Sequence, residues 1–276
     1  MCSPVIQNES FASIIASIAM PINRPSNPFC IQATMPIVTS KNKSLGILSR
    51  RPDLSREDFQ RYYETSHAPL GMCHYPFAKY VRNHVLGDVD PGFDTISEFW
   101  FDRQAAAKGF DPVKAGAIMD QDEMKFMDRS NKRAGSVTEY LLSGPERTVE
   151  SGPGHKLAIL LIRSPATTDE AFLGLAADFG RRVCAENRGA MFRAMLDIVR
   201  VPPGGGVASA SVPYLAVPCA GILWFWVEVG KCPDRVPEPP PGGIGVTGTV
   251  SMTSHETSPE LLAKAYGSNA GAEHPM

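Results

Sequence analysis

Apolar and polar positions along the chain recur with two periods, and the changes between them fall at prolines and glycines. Leu45 to Ser49 is a compact apolar stretch ending at Arg50-Arg51-Pro52, which predicts a strand. Ser55 then offers an N-cap, and Asp58, three residues on, completes a variant capping box. Phe59, Tyr62, Tyr63, Ser66 and His67 follow at helical spacing on one continuous face, and Pro69 is expected to end or bend that helix. Phe77 to Leu86 alternates: Phe77, Lys79, Val81, Asn83 and Val85 share one face, while Tyr80, Arg82 and His84 take the other. Past a turn at Gly87 to Gly92, Thr95 to Phe101 is a second, aromatic strand. Asp102 caps a short helix over Gln104 to Ala107, a longer helix covers Val113 to Asp128, and Val137 to Leu142 is a further strand.

Strand, helix, strand, strand, helix, strand is the order of a ferredoxin-like unit, a four-stranded antiparallel sheet with both helices on one face. Gly144 to Gly154 reads as a linker, after which the pattern restarts. Lys156 to Arg163 is a strand, Asp169 to about Glu186 a helix, and Met191 to Val201 and Gly221 to Val229 are strands. Placing Pro52 on Pro165 also places Glu57 on Glu170 and Phe59 on Phe172, a weak internal repeat. The second unit then decays into the Pro/Gly-rich stretch Cys232 to Gly243, a possible strand at Ile244 to Met252 and a short helix at Glu260 to Tyr266. The expected organisation is an N-terminal arm over 1–40 with a short helix at Ser10 to Ala19, a first unit over 41–148, and a degenerate second unit over 155–270. A sheet with helices on one face only needs its other face covered. The fold class expected is therefore α+β, with two tandem ferredoxin-like βαββαβ units whose sheets pack face to face into an intrachain dimeric-type α+β barrel that encloses a lumen.

Composition narrows the partners more than the chemistry. The 276 residues are 43% hydrophobic and 20% charged, and 27 Lys plus Arg against 29 Asp plus Glu leave a net charge of −2, so no general electrostatic attraction to nucleic acid or anionic membrane exists. No apolar run is long enough for a membrane span, and the segment Phe11 to Met20 lacks a basic region before it, so no secretory signal is read. The six cysteines are widely spaced and show no CxxC pair, which favours free thiols and a cytoplasmic protein over a disulfide scaffold or zinc ribbon. The expected partner is a small-molecule substrate, and the expected state a monomer or homodimer.

The first unit resembles the EthD family of dimeric α+β barrel proteins. The resemblance rests on Phe59-x2-Tyr62-Tyr63-x3-His67-Ala68-Pro69-Leu70, then Tyr80-Val81-Arg82-Asn83-His84, then Asp94-x3-Glu98-Phe99-Trp100-Phe101-Asp102, then Asp122-Glu123-x2-Phe126-x-Asp128, in that order over about Leu45 to Leu142. It implies a small enzyme of aromatic or polyketide metabolism, with decarboxylases and dehydratases among its relatives and cyclases, lactone isomerases and cofactor-free monooxygenases on related barrels. The second unit departs from the pattern, since the position matching His67 falls near Gly180, which leaves one active lumen per chain.

His67 is the main catalytic candidate, because an imidazole facing a lumen can act as general acid or base near neutral pH; the competing role is a core or helix-terminal histidine. Tyr63 is the second catalytic candidate, and Tyr80, Arg82, His84, Glu98 and Trp100 are candidate substrate contacts. The tyrosines offer phenols to a substrate oxygen, Arg82 a fork for a carboxylate, His84 and Glu98 polar groups toward the lumen, and Trp100 a wall for a planar ring. Asp122, Glu123 and Asp128 are carboxylates of a type used in catalysis, but their spacing favours a solvated helix face. His155, His255 and His274 are assigned to linkers or tails. Gly243-x-Gly245-x-x-Gly248 matches a dinucleotide fingerprint in letters only, because an extended segment and not a helix follows it. With no ligand-spaced Cys/His/carboxylate cluster either, no haem, flavin or metal cofactor is expected. The function expected is a cofactor-independent lyase or cyclase acting on a small aromatic or polyketide-like acid by acid/base chemistry, namely decarboxylation, dehydration or cyclisation. A cofactor-free monooxygenase and a non-catalytic binding protein for pathway intermediates are the alternatives.

Overall fold

A computed structural model describes residues 35–146, 152–200, 215–231, 233 and 235–268. The helix expected at Ser10 to Ala19, and with it nearly all of the arm, lies outside these residues. The described elements are β1 (Ile37–Leu48), α1 (Arg56–Tyr62), a π-helical turn (Tyr63–His67), α2 (Ala68–His74), β2 (Phe77–Val85), β3 (Thr95–Phe101), α3 (Arg103–Ala106), α4 (Pro112–Glu123), a 3-10 turn (Arg129–Asn131) and β4 (Arg133–Ser143). They continue with β5 (Gly152–Arg163), α5 (Asp169–Glu186), β6 (Met191–Arg200), β7 (Leu215–Ala216), β8 (Gly221–Val227), β9 (Ile244–Glu256) and α6 (Pro259–Ser268).

Eight strands close into one antiparallel barrel in the order β1-β3-β2-β9-β5-β8-β6-β4, with β4 returning to β1 and the two-residue β7 lying parallel outside it. Strands of the first half run β4-β1-β3-β2, and those of the second β9-β5-β8-β6. The closed barrel within one chain agrees with the expected architecture. Each half carries two open edges, and β2 pairs with β9 while β4 pairs with β6, so the halves share one continuous sheet with no free edge around the barrel. β9 is the fourth strand that the Pro/Gly-rich sequence concealed, and residues 228–243 contain no second helix among those described. Gly245 and Gly248 sit within β9, in extended chain and not at the start of a helix.

Local chemistry places the first helices as the sequence requires, with one exception. Ser55 caps α1, its Oγ accepting from the Asp58 backbone N–H at 3.0 Å and donating to the Asp58 carboxylate at 2.8 Å. Pro69 does not end the helix. The chain passes through the π turn, where the Ala68 N–H reaches back to Tyr63 O, and α2 then starts with Pro69 in its first turn, where its missing N–H costs little.

Three cores follow from strand alternation. In the first half Leu48, Phe59, Tyr63, Tyr80 and Phe126 fill the space between sheet and helices. In the second half α5 packs Phe172, Ala176, Phe179 and Val183 onto Ile159, Leu161, Leu196, Leu223 and Phe225. Inside the barrel, Leu45, Ile47, Ile96, Val137, Ile222 and Trp224 meet across the lumen. The lumen also holds charges. Lys43 Nζ lies 2.5 Å from Glu98, 2.9 Å from Glu139 and 2.7 Å from Asp197, and Lys156 Nζ lies 3.0 Å from Glu98. Burial works against the Glu98 charge, but Lys156 and Lys43 hold its carboxyl well below the usual range, whereas burial together with the neighbouring acids pushes Asp197 up to about 7.

Two predictions follow. Lys43→Met leaves the buried Glu139 and Asp197 without their cation and Glu98 with Lys156 alone, and is expected to lower unfolding free energy by about 3–5 kcal/mol in urea titration; a loss under about 1 kcal/mol shows the network is dispensable. Gly180 lies on α5 where an added Cβ comes within 2.5 Å of Leu142 and Leu223 side-chain carbons. Gly180→His is expected to cost about 1–3 kcal/mol or more by overpacking, with no second binding site gained in equilibrium titration.

Candidate functional site

The π turn sets the site. It brings the rings of Tyr63 and His67 edge to face, with centroids 4.9 Å apart, under the first half's helices and over its sheet. His67 is 6% exposed, and its Nδ1 is 2.9 Å from Asp122 Oδ2. Tyr62 donates to the other Asp122 oxygen at 2.7 Å, and Lys125 reaches the same atom at 3.2 Å. Burial opposes the Asp122 charge, but the hydrogen bonds from His67, Tyr62 and Lys125 outweigh it and hold the carboxyl at about 2. This corrects the expectation of a solvated face for Asp122 and Glu123, since both are buried; the alternation of a single helix did not show that α4 folds its acidic end back onto α1 and the sheet.

Tyr63 Oη is 2.8 Å from Ser97 Oγ and accepts from Tyr80 Oη at 3.1 Å. Burial pushes the Tyr63 phenol up to about 12 and Tyr80 well above its ordinary value, so both are neutral at physiological pH. Tyr63, His67 and Tyr80 line a cavity of about 570 Å³ between the sheet and helices α2 and α4. Its walls include Tyr75, Phe77, Phe99, Phe101 and Phe110, and Asp120, Glu123 and Lys132 line it as well, with Lys132 bonded to Glu123. That volume is in the range of small-molecule pockets.

The sequence-selected residues divide between two faces of one sheet. His67, Tyr63 and Tyr80 meet at the cavity. Arg82 and His84 also face the helices, which corrects the expectation that His84 looks into the lumen. Both are taken up by Glu64: the Arg82 fork reaches it at 3.1 and 2.7 Å, and His84 Nε2 at 2.8 Å, with Nδ1 2.7 Å from Thr95 Oγ1. The Arg82 fork is thus filled by a carboxylate of the chain itself. His84 and Arg82 overcome the burial of Glu64 and hold it at about 2. Glu98 and Trp100 face the lumen on the far side of the sheet, Glu98 between Lys43 and Lys156 and Trp100 between Lys43 and Lys79 at 4.7 and 4.8 Å from its ring. They are separated from His67 by the sheet, so the residues expected to share one lumen lie on its two faces, and His67 lines a cavity outside the barrel wall. His255 and His155 are corrected too: they belong to β9 and β5, and His255 Nδ1 lies 4.0 Å from Glu64.

Sequence reasoning missed Phe99, Phe101, Tyr75 and Phe110 as walls and Lys132 as a lining cation. For Phe99 and Phe101 a signal existed, since strand alternation puts them opposite Glu98 and Trp100. Among the described residues no group of three or more His, Cys, Asp or Glu side chains is placed to hold a metal, and no helix is long and apolar enough to cross a membrane.

An eight-stranded antiparallel barrel with a pocket between one half-sheet and its helices defines a dimeric-type α+β barrel, here closed within one chain. The family model described as the EthD domain matches residues 51–130, a narrower span than the resemblance in the sequence. No curated protein matches the chain. Among solved structures, an anthrone oxidase-like protein is 10% identical with a TM-score of 0.50, over 80% of this chain and 94% of its own. A chlorite dismutase from Candidatus Nitrospira defluvii, solved with imidazole, is 11% identical with a TM-score of 0.39, over 82% and 96%. At such identity the first shares the fold, and no activity is taken from either.

The depressed Asp122 and Glu64 carboxyls make a pH prediction. Unfolded carboxyls titrate near 4, so the stability these two supply is complete above about pH 5 and is lost as pH falls toward 2. Asp122→Asn is expected to flatten that loss in acid titration of unfolding free energy, and an unchanged slope contradicts the His67–Asp122 pairing.

Proposed function

We propose that this chain is an enzyme that moves a proton on a small planar aromatic or polyketide-like acid, by decarboxylation, dehydration or cyclisation, in the cavity between the first half-sheet and its helices. The observation that carries this reading is His67: a buried imidazole on the wall of an aromatic cavity, its Nδ1 held by an ionised Asp122. Fixing Nδ1 leaves Nε2 as the nitrogen for a bound substrate, and a carboxylate behind the ring stabilises the imidazolium that forms when Nε2 takes a proton. The neutral phenol of Tyr63, which accepts from Tyr80 and can accept from Ser97, supplies a donor to an oxygen on which enolate charge develops. The aromatic walls hold the ring plane and exclude water.

The same reading takes the two halves as tandem ferredoxin-like units, the second without its second helix. Lys43 and Lys156, Phe59 and Phe172, and His67 and Gly180 then stand at corresponding places. The second half's helix–sheet space is filled by α5, which supports one active cavity per chain.

Metabolites compared in the host with and without the protein would supply the substrate. With it, His67→Gln is expected to lower turnover by about 10²–10⁴ while binding and thermal midpoint change little. Near-normal turnover, or loss of folding together with activity, assigns His67 to structure. Oxygen uptake matching turnover would replace this reading with an oxygenase, and saturable binding without turnover would replace it with a carrier.

A further inference from the structure

Beside the aromatic cavity lies a notch of about 250 Å³ lined by Lys41, Asn42, Lys43, Ser44, Phe101, Arg103 and Ser136. Ser44, Phe101 and Ser136 also line the aromatic cavity, so the notch adjoins it along one wall. The notch exists because β1 is irregular. Its pairing with β4 shifts register between Val38 and Ser40 and again between Ser40 and Lys43. Lys41 and Asn42 fall in this irregular stretch, and both are exposed.

The charges there are of one sign. Lys43 turns its ammonium into the barrel, onto Glu98, Glu139 and Asp197, and is not available to a ligand. Lys41 and Arg103 are available. Arg103 Nη2 donates to Asn42 Oδ1 at 2.7 Å, a neutral partner that positions the guanidinium without neutralising it. Neither cation has a carboxylate partner among the described residues, and no acid lines the notch. The adjacent Asp102 is engaged in capping α3, where Oδ1 accepts from the Gln104 and Ala105 N–H groups.

We propose that Lys41 and Arg103 form the anion subsite of the aromatic cavity, receiving the carboxylate of an aromatic acid whose ring lies among Phe99, Phe101, Phe110 and Tyr75. The proposal rests on the cavity reading above and adds the residues that select an acid over its neutral counterpart. It also supplies the cation that Arg82, filled by Glu64, does not. Both groups are solvent-exposed, so the attraction is modest and screened by salt.

The test uses 2-naphthoate and its neutral isostere 2-naphthamide as probes, titrated by calorimetry into the full chain at low and high sodium chloride. The wild type is expected to bind the carboxylate roughly threefold to tenfold more tightly than the amide at low salt, the size two exposed ion pairs produce. That preference is expected to shrink at high salt and to vanish in the double variant Lys41→Gln/Arg103→Gln, with amide affinity unchanged. A wild type without preference, or a preference that survives in the double variant, overturns the subsite. Gly116 lines the cavity, and a Cβ there meets nothing within 4 Å, so Gly116→Phe has room to fill the cavity and is expected to abolish binding of both probes. If the amide fails to bind the wild type, or still binds Gly116→Phe, the cavity reading itself falls and the subsite with it. Amide binding that Gly116→Phe blocks, without a carboxylate preference, overturns the subsite alone.

Discussion

The ammonium of Lys43 is the point on which the barrel turns. It is buried in the lumen and meets carboxylates from β3, β4 and β6. Through Glu98 the network extends to Lys156 on β5 and to the Asn83 amide on β2, and through Asp197 to the Trp224 indole on β8. Seven of the eight strands are tied at one level, and the ties cross between halves. Charges taken out of water are costly unless each finds its partner, so a slip in register at either seam would strand one of them. Apolar packing alone tolerates such slips better, because any apolar neighbour suffices.

That use of the lumen determines where a ligand can go. With Lys43, Lys156 and Asp197 buried among Trp100, Trp224 and Trp226, the inside of the barrel holds core and counter-ions. Open space instead lies on the outer face, under the helices of the first half. There the π turn displaces Tyr63 and His67 from regular helical packing, and the small residues Gly71 and Gly116 line the cavity. In the second half, α5 is a regular helix whose Gly180 sits directly on Leu142 and Leu223, and the equivalent space is filled. The helix–sheet space of the second half is packed core, and that of the first carries the cavity. The second half also supports the first, since Thr257, just past β9, accepts from Arg82, and Leu262 of α6 joins the first half's core.

Much of this was legible in the sequence because it depends on neighbours close along the chain. The Ser55 cap, the strand alternation of Tyr80, Arg82 and His84, the aromatic strand over Thr95 to Phe101 and the helix at Asp169 all follow from local periods and turn chemistry. The motif around His67 contains side chains that the fold brings to one cavity, with Tyr63 and Tyr80 beside it. What the sequence could not determine was which face of the sheet each half would enclose. A period of two separates Tyr80, Arg82 and His84 from Val81 and Asn83, but names neither set as inside. Only closure of the barrel, through the β2–β9 and β4–β6 seams, makes the face of Glu98 and Trp100 a lumen and that of His67 a cavity wall. The partners that fill Arg82 and orient His67 are likewise long-range. Asp122 lies 55 residues from His67, and Thr257 lies 175 from Arg82. Contacts of that separation are decided by which surfaces must leave water together, a property of the folded whole that no local pattern contains.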